Sequence, residues 1–120
     1  MKYSENLSAF LDFVRTSQIE YNSAFDEVNT KDKQTQDFLH DLELGNLNYK
    51  ERCKVATQIT KCRKERRYYK DVSEILEPLV SFFEEPQNKR VINELSQILG
   101  KMRKQEQYHQ NRNYKPRVNK

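Results

Sequence analysis

The chain has 120 residues and a formal net charge of +4, with 35% of residues apolar and 33% charged, so any core must be thin and assembled from stripes on elements whose other faces are wet. Two glycines and three prolines are too few to punctuate a many-stranded sheet or to build a phosphate-cradling loop, which excludes dinucleotide-binding and P-loop folds. The length suits one domain, residues 1–110, followed by a basic tail over 111–120.

From Tyr3 to Val28 the apolar positions Leu7, Val14, Tyr21 and Val28 recur every seven residues, with Phe10, Leu11, Ala24 and Phe25 in neighbouring rows. That period is helical, and Ser4 is placed to cap its start. The pattern predicts an end at Asn29-Thr30, with Thr30 capping a second helix whose stripe is Phe38, Leu39 and Leu42 and which Gly45 stops as a C-cap. Asn48-Tyr49-Lys50-Glu51 then places a capping side chain three residues before a Glu, a close relative of the capping box. A long central helix over about 48–84 follows. Its positions Val55, Ile59, Cys62, Arg66, Tyr69, Ser73, Leu76, Val80 and Phe83 alternate steps of four and three, so one seam can persist along the whole run. Pro78 lacks an amide donor and predicts a kink or short break near Glu77. Glu85-Pro86 predicts a turn into a last helix with the stripe Val91, Leu95, Ile98 and Met102, Leu99 beside it and Gly100 tolerated inside.

These signals together predict an all-α protein, an elongated helical hairpin or small bundle of three or four helices. The narrow stripe of the first helix and the length of the central one also predict a homodimer. No apolar run approaches the roughly 20 residues that cross a bilayer, and the start MKYSENLSAFLDFV lacks the cationic and apolar regions of a secretory signal. A cytoplasmic setting is expected. Cys53 and Cys62 are nine residues apart, on opposite faces of one helix at about 100° per residue, and read as reduced thiols.

Charge is unevenly spread. Residues 1–49 carry a net −5, 50–70 a net +7, 71–100 a net −4 and 101–120 a net +6. An antiparallel pairing of the last two helices would bring both basic blocks to one end. In the first block Lys61, Arg63, Lys64, Arg67, Tyr68 and Lys70 interleave cationic and aromatic groups, and Arg112, Tyr114, Lys115 and Arg117 do so again in the tail. Basic groups pair with phosphates and aromatic faces stack on unpaired bases, so the pattern suits nucleic acid. It equally suits an anionic protein surface, a solvated helix face or a solubilising tail. Tyr69 falls on the seam and reads as core. Arg66 sits where an apolar residue is expected and requires a carboxylate partner, for which Glu20 or Asp12 of the first helix is a candidate.

His40, near Asp37, Asp41 and Glu43, has no metal-ligand spacing, and His109 lies among Gln and Asn. Neither cysteine has a histidine at a catalytic spacing, and no carboxylates are recognisably paired for acid and base work. The reading is therefore of a protein without enzymatic activity, cofactor or metal.

The stretches QDFLHDLELG at 36–45, ERCKVATQITKCRKERRYYKD at 51–71 and NRNYKPRV at 111–118 resemble small open reading frames of phages and prophages of Gram-positive bacteria. That resemblance covers most of the chain, carries no catalytic motif and transfers no site. It implies a setting in which short proteins bind host or defence factors, among them the anti-CRISPR proteins. The expected function is an accessory or inhibitor protein that occupies a protein or nucleoprotein partner, such as a CRISPR effector, through its basic surface. The alternative is a DNA- or RNA-binding regulator using the patches at 61–70 and 112–117.

Overall fold

The computed structural model describes residues 2–112. Three helices account for nearly all of them: α1 Tyr3–Leu44, α2 Tyr49–Glu84 and α3 Pro86–Gln110. The protein is all-α, as the helical periodicity requires, with no strand among the described residues.

The start of α2 follows from its cap. The Glu51 amide donates to Asn48 Oδ1 at 2.8 Å and the Arg52 amide to the Asn48 carbonyl at 3.0 Å, so Asn48 satisfies one donor that an α-helix leaves open at its first turn and accepts the first backbone bond of the helix. The helix end predicted at 29–30 is absent, and so is a break at Pro78. Residues 29–30 are helical, because neither Asn29 nor Thr30 removes a donor and the buried row continues past them through Lys31 and Thr35. Helix α2 likewise runs unbroken through Pro78, where buried Val80 and partly buried Phe83 continue its row on the far side. Gly45 does end α1, but not in the left-handed conformation of a C-cap glycine, since no residue has a positive φ among the described residues. Its requirement is steric: a Cβ there would lie 2.5 Å from the Asp41 carbonyl oxygen.

The chain divides into two compact units, one of Thr16–Ser81 and the other of the residues up to Arg15 with those from Phe82 onward. In the first, residues 16–44 of α1 and 49–81 of α2 form an antiparallel pair joined by the link 45–48. The less exposed row on α1 is Ser17, Tyr21, Ala24, Val28, Lys31, Thr35, Phe38 and Leu42, stepping by four and three. On α2 every predicted seam position, from Val55 to Phe83, is buried or half-buried. The rows are one-sided and narrow, and none of the described large side chains is fully enclosed.

In the second unit Val14 and Leu99 are buried, Phe10 meets Phe83 edge to face at 6.4 Å between ring centroids, and the ends of α1 and α3 are joined by polar contacts. The Ser4 amide donates to Glu106 Oε2 at 3.0 Å, and the Ser4 hydroxyl donates to the other oxygen of the same carboxylate. Arg103 donates to the Ser8 hydroxyl at 3.2 Å. Ser4 is thus not a cap for its own helix; the cap is a carboxylate from α3, whose charge suits the positive end of the α1 dipole. The stripe of α3 is Asn88, Ile92, Leu95, Leu99, Met102 and Glu106, which corrects the expected row: Val91 and Ile98 are half exposed on its flank. The row begins at Asn88 because its side-chain amide donates to the Phe82 carbonyl at 2.7 Å across the turn, and steps of four and three from there reach Leu99 rather than Ile98.

A Cβ added at Gly100 would meet nothing within 4 Å, so Gly100→Ala should raise stability by about 1 kcal/mol, which thermal melting should read as a gain of about 3–5 °C. Gly45→Ala should lower stability by about 1 kcal/mol or more, since backbone must shift to admit the methyl group. The Ser4 hydrogen bonds, helped by the charge of Lys2, hold the Glu106 carboxyl below its ordinary value of 4.5. A lowered folded-state value means stabilisation that is present above the ordinary carboxylate pKa and is lost as the pH falls through the lowered one. Melting temperature measured from pH 7 down to pH 3 should therefore fall less steeply for Glu106→Gln than for the parent.

Candidate functional site

The predicted site residues fall into three places. Lys61, Arg63, Lys64, Arg67, Tyr68 and Lys70 all lie on α2 within the α1–α2 pair, Arg112 is exposed just beyond α3, and Tyr114, Lys115 and Arg117 lie outside the described residues.

Three of the four arginines of α2, Arg63, Arg66 and Arg67, meet carboxylates, whereas Arg52 is exposed and forms no ion pair among the described residues. Arg66 Nε donates to Asp32 Oδ1 of α1 at 2.6 Å, and Arg63 lies 3.6 Å from the same oxygen. A seam arginine does take a carboxylate from the first helix, but that carboxylate is Asp32 rather than Glu20 or Asp12. Arg67 pairs along its own helix with Asp71 at 2.7 Å and approaches Glu74 at 3.7 Å. Immediately beside the Asp32–Arg66 pair, Lys31 Nζ meets Glu65 Oε2 at 2.7 Å. This contact raises the Lys31 pKa and lowers that of Glu65, with desolvation opposing both shifts. The stabilisation from Lys31 is fully present below its ordinary value of 10.5 and disappears as the pH rises through the raised one.

Between these ion pairs sits a buried polar step. Thr35 Oγ1 donates to the Lys31 carbonyl at 2.9 Å and lies 3.4 Å from Cys62 Sγ, and the thiol reaches the same carbonyl at 3.2 Å. Cys62 is buried and Cys53 exposed, both as free thiols, as their opposite helix faces require.

The lysines are arranged differently. Lys50, Lys54, Thr57, Lys61, Lys64 and Tyr68 follow one another by four, three, four, three and four residues, and all are exposed. At about 100° per residue they form one straight row, roughly a third of a turn from the buried seam. Lys50, Lys54, Lys61 and Lys64 form no ion pair among the described residues. Glu65, which flanks the row beside Lys61 and Lys64, is paired with Lys31, and the field of Lys61 contributes to its lowered pKa. Thr57, Thr60, Lys61, Lys64 and Glu65 line a shallow hollow beside the row. Tyr68 closes the row at 63% exposure, edge-on to the half-buried Tyr69.

The structure therefore splits the predicted block. Lys61, Lys64 and Tyr68 share the lysine flank, whereas Arg63, Arg67 and Lys70 lie on another, where two of them meet carboxylates. Lys50 and Lys54 belong to the row although they fall outside the block that interleaves cationic and aromatic groups. Their alternating four-and-three spacing was the available signal. Among the described residues no group of three or more His, Cys, Asp and Glu side chains could hold a metal ion, and no helix there is long and apolar enough to cross a membrane. Comparisons with protein-family models, with curated proteins and with solved structures return no match.

Asp32 serves two arginines, and Arg66 is only 21% exposed at its side chain. Asp32→Asn should lower stability by about 1 kcal/mol, the usual scale for a half-exposed charge-assisted contact. Most of that loss should vanish in an Arg66→Met background, where the guanidinium that needs the partner is gone; chemical denaturation of the four variants in a double-mutant cycle measures it.

Proposed function

We propose that this protein is a non-enzymatic binding protein of the cytoplasm whose working surface is the exposed basic flank of α2, and that it acts by occupying a macromolecular partner. The observation that carries this reading is the division of the cations on α2. Arg63, Arg66 and Arg67 have carboxylate partners within the chain, while Lys50, Lys54, Lys61 and Lys64 stand in a straight exposed row with none among the described residues. Like charges held along one helix face repel by a few tenths of a kcal/mol per neighbouring pair. An anionic partner would relieve that repulsion.

The resemblance to phage reading frames supplies the setting: an accessory or inhibitor protein directed at a host or defence factor, such as a CRISPR effector. In this reading the tail residues Arg112, Tyr114, Lys115 and Arg117 are a second, separate set of cationic and aromatic groups, and a DNA- or RNA-binding regulator is its alternative form.

The test is capture from a bacterial host lysate, with and without nuclease treatment, using the full chain and the variant Lys61→Glu/Lys64→Glu. The parent is expected to retain a macromolecule that the variant, with an unchanged melting temperature, does not. Equal capture by both would place the working surface elsewhere.

A further inference from the structure

We infer that the row Lys50, Lys54, Lys61 and Lys64, ending at Tyr68, engages the phosphate backbone of a nucleic-acid duplex without reading its sequence. This rests on the reading of that flank as the working surface and names its partner.

The first argument is composition. Interfaces with proteins are depleted in lysine at their centres and depend on aromatic, Met or Arg anchors seated in pockets. The row has four lysines and a threonine along its length, and its one aromatic stands at the end. A protein partner would have to desolvate four ammonium groups with a single anchor to offset the cost.

The second argument is the kind of cation. Arginine presents a planar fork that pairs a carboxylate in two directions at once, whereas lysine is a hydrated point charge with little directional demand. On α2, Asp32 and Asp71 are held by Arg63, Arg66 and Arg67, while the open row is made of lysine. Phosphates on a backbone vary in orientation and suit a point charge.

The third is geometry. From Lys50 to Lys64 the helix rises about 21 Å at about 1.5 Å per residue. A duplex presents one negative charge per about 1.7 Å of axis, so a rigid linear array of cations meets a linear array of anions. None of the four lysine side chains is fixed by an ion pair among the described residues, which fits contacts that position without specifying.

The experiment is fluorescence anisotropy of the full chain on a labelled DNA duplex of about 20 base pairs, titrated at salt concentrations from about 50 to about 200 mM. Four phosphate contacts at about −0.9 each predict a log-log salt slope near −3.6, or about a 150-fold loss of affinity across that range. Lys61→Gln/Lys64→Gln should flatten the slope by about 1.8, and should do so equally on duplexes of unrelated sequence. Lys33→Gln, an exposed lysine on α1, should leave it unchanged. No duplex binding below about 100 µM at the lowest salt, or a slope indifferent to the row, overturns the inference. Tighter binding to a single strand, lost in Tyr68→Ala, overturns the duplex assignment as well. If the row variants still abolish capture of a nuclease-resistant partner while the duplex is not bound, the nucleic-acid assignment falls and the working surface stands; if neither measurement responds to the row, both fall.

Discussion

The α1–α2 pair depends on a seam that is polar at its middle. Apolar rows that repeat every seven residues can slide past each other by one repeat and still bury carbon against carbon, so they bring helices together without fixing their register. Here Lys31, Asp32 and Thr35 face Glu65, Arg66 and Cys62. A slip of one heptad would set Asp32 opposite Ile59 or Ser73 and leave Arg66 half-buried without a carboxylate. Stranding a charge costs more than the small net gain from forming the pair. The polar step thus contributes little to the total stability while making the alternatives worse.

That arrangement also accounts for the charge pattern. The acidic character of α1 and the basic block of α2 look like two ends of a bipolar molecule when read as blocks, yet side by side they are partly complementary: Asp32 takes two arginines, and the one reversed pair, Lys31 with Glu65, is its immediate neighbour on both helices. The complementarity is incomplete. It consumes the arginines nearest the seam and leaves the lysines on the far flank, so a single helix carries a folding surface and a solvent surface made of different cations. Among Arg63, Arg66, Arg67 and the four lysines of the row, the distinction between Arg and Lys, chemical rather than electrostatic, follows that division.

Much of this was legible in the sequence, unevenly. The seam of α2 was readable residue by residue because nine positions obey one spacing and Asn48 announces the start. The α3 row reads one position early in the sequence because Val91 and Ile98 are as apolar as Ile92 and Leu99, and only the Asn88 contact across the turn decides the phase. The helix end predicted at Asn29-Thr30 failed because weak helix formers yield to a neighbour that buries the row on both sides of them. The partner of Arg66 was not legible at all: its type followed from burial, its identity from the register of a pair of helices, which no local pattern encodes. The lysine row was present in the spacing but hidden by adjacency, since Arg63, Lys64, Arg66 and Arg67 are consecutive enough to read as one patch although a helix fans them across nearly half of its circumference.

A thin fold can carry such a row because exposed like charges cost little. Two unit charges 4 Å apart repel by about 1 kcal/mol in water and less once separated by a helical turn, and salt screens them within about 8–10 Å. Only Lys50 with Lys54 and Lys61 with Lys64 are neighbours at three or four residues, so the intrinsic penalty is below about 1 kcal/mol. Against a typical domain stability of about 5–15 kcal/mol this is tolerable. It also means that the row does nothing for the fold: its side chains lie off the seam, pair with no carboxylate among the described residues and cap no helix. In the second unit the reverse holds, where Glu106 is bound to the first turn of α1 and its charge is used up in holding that end. Groups spent on structure are neutralised in place, and a charge left unneutralised along a rigid helix is free to meet something that is not part of the chain.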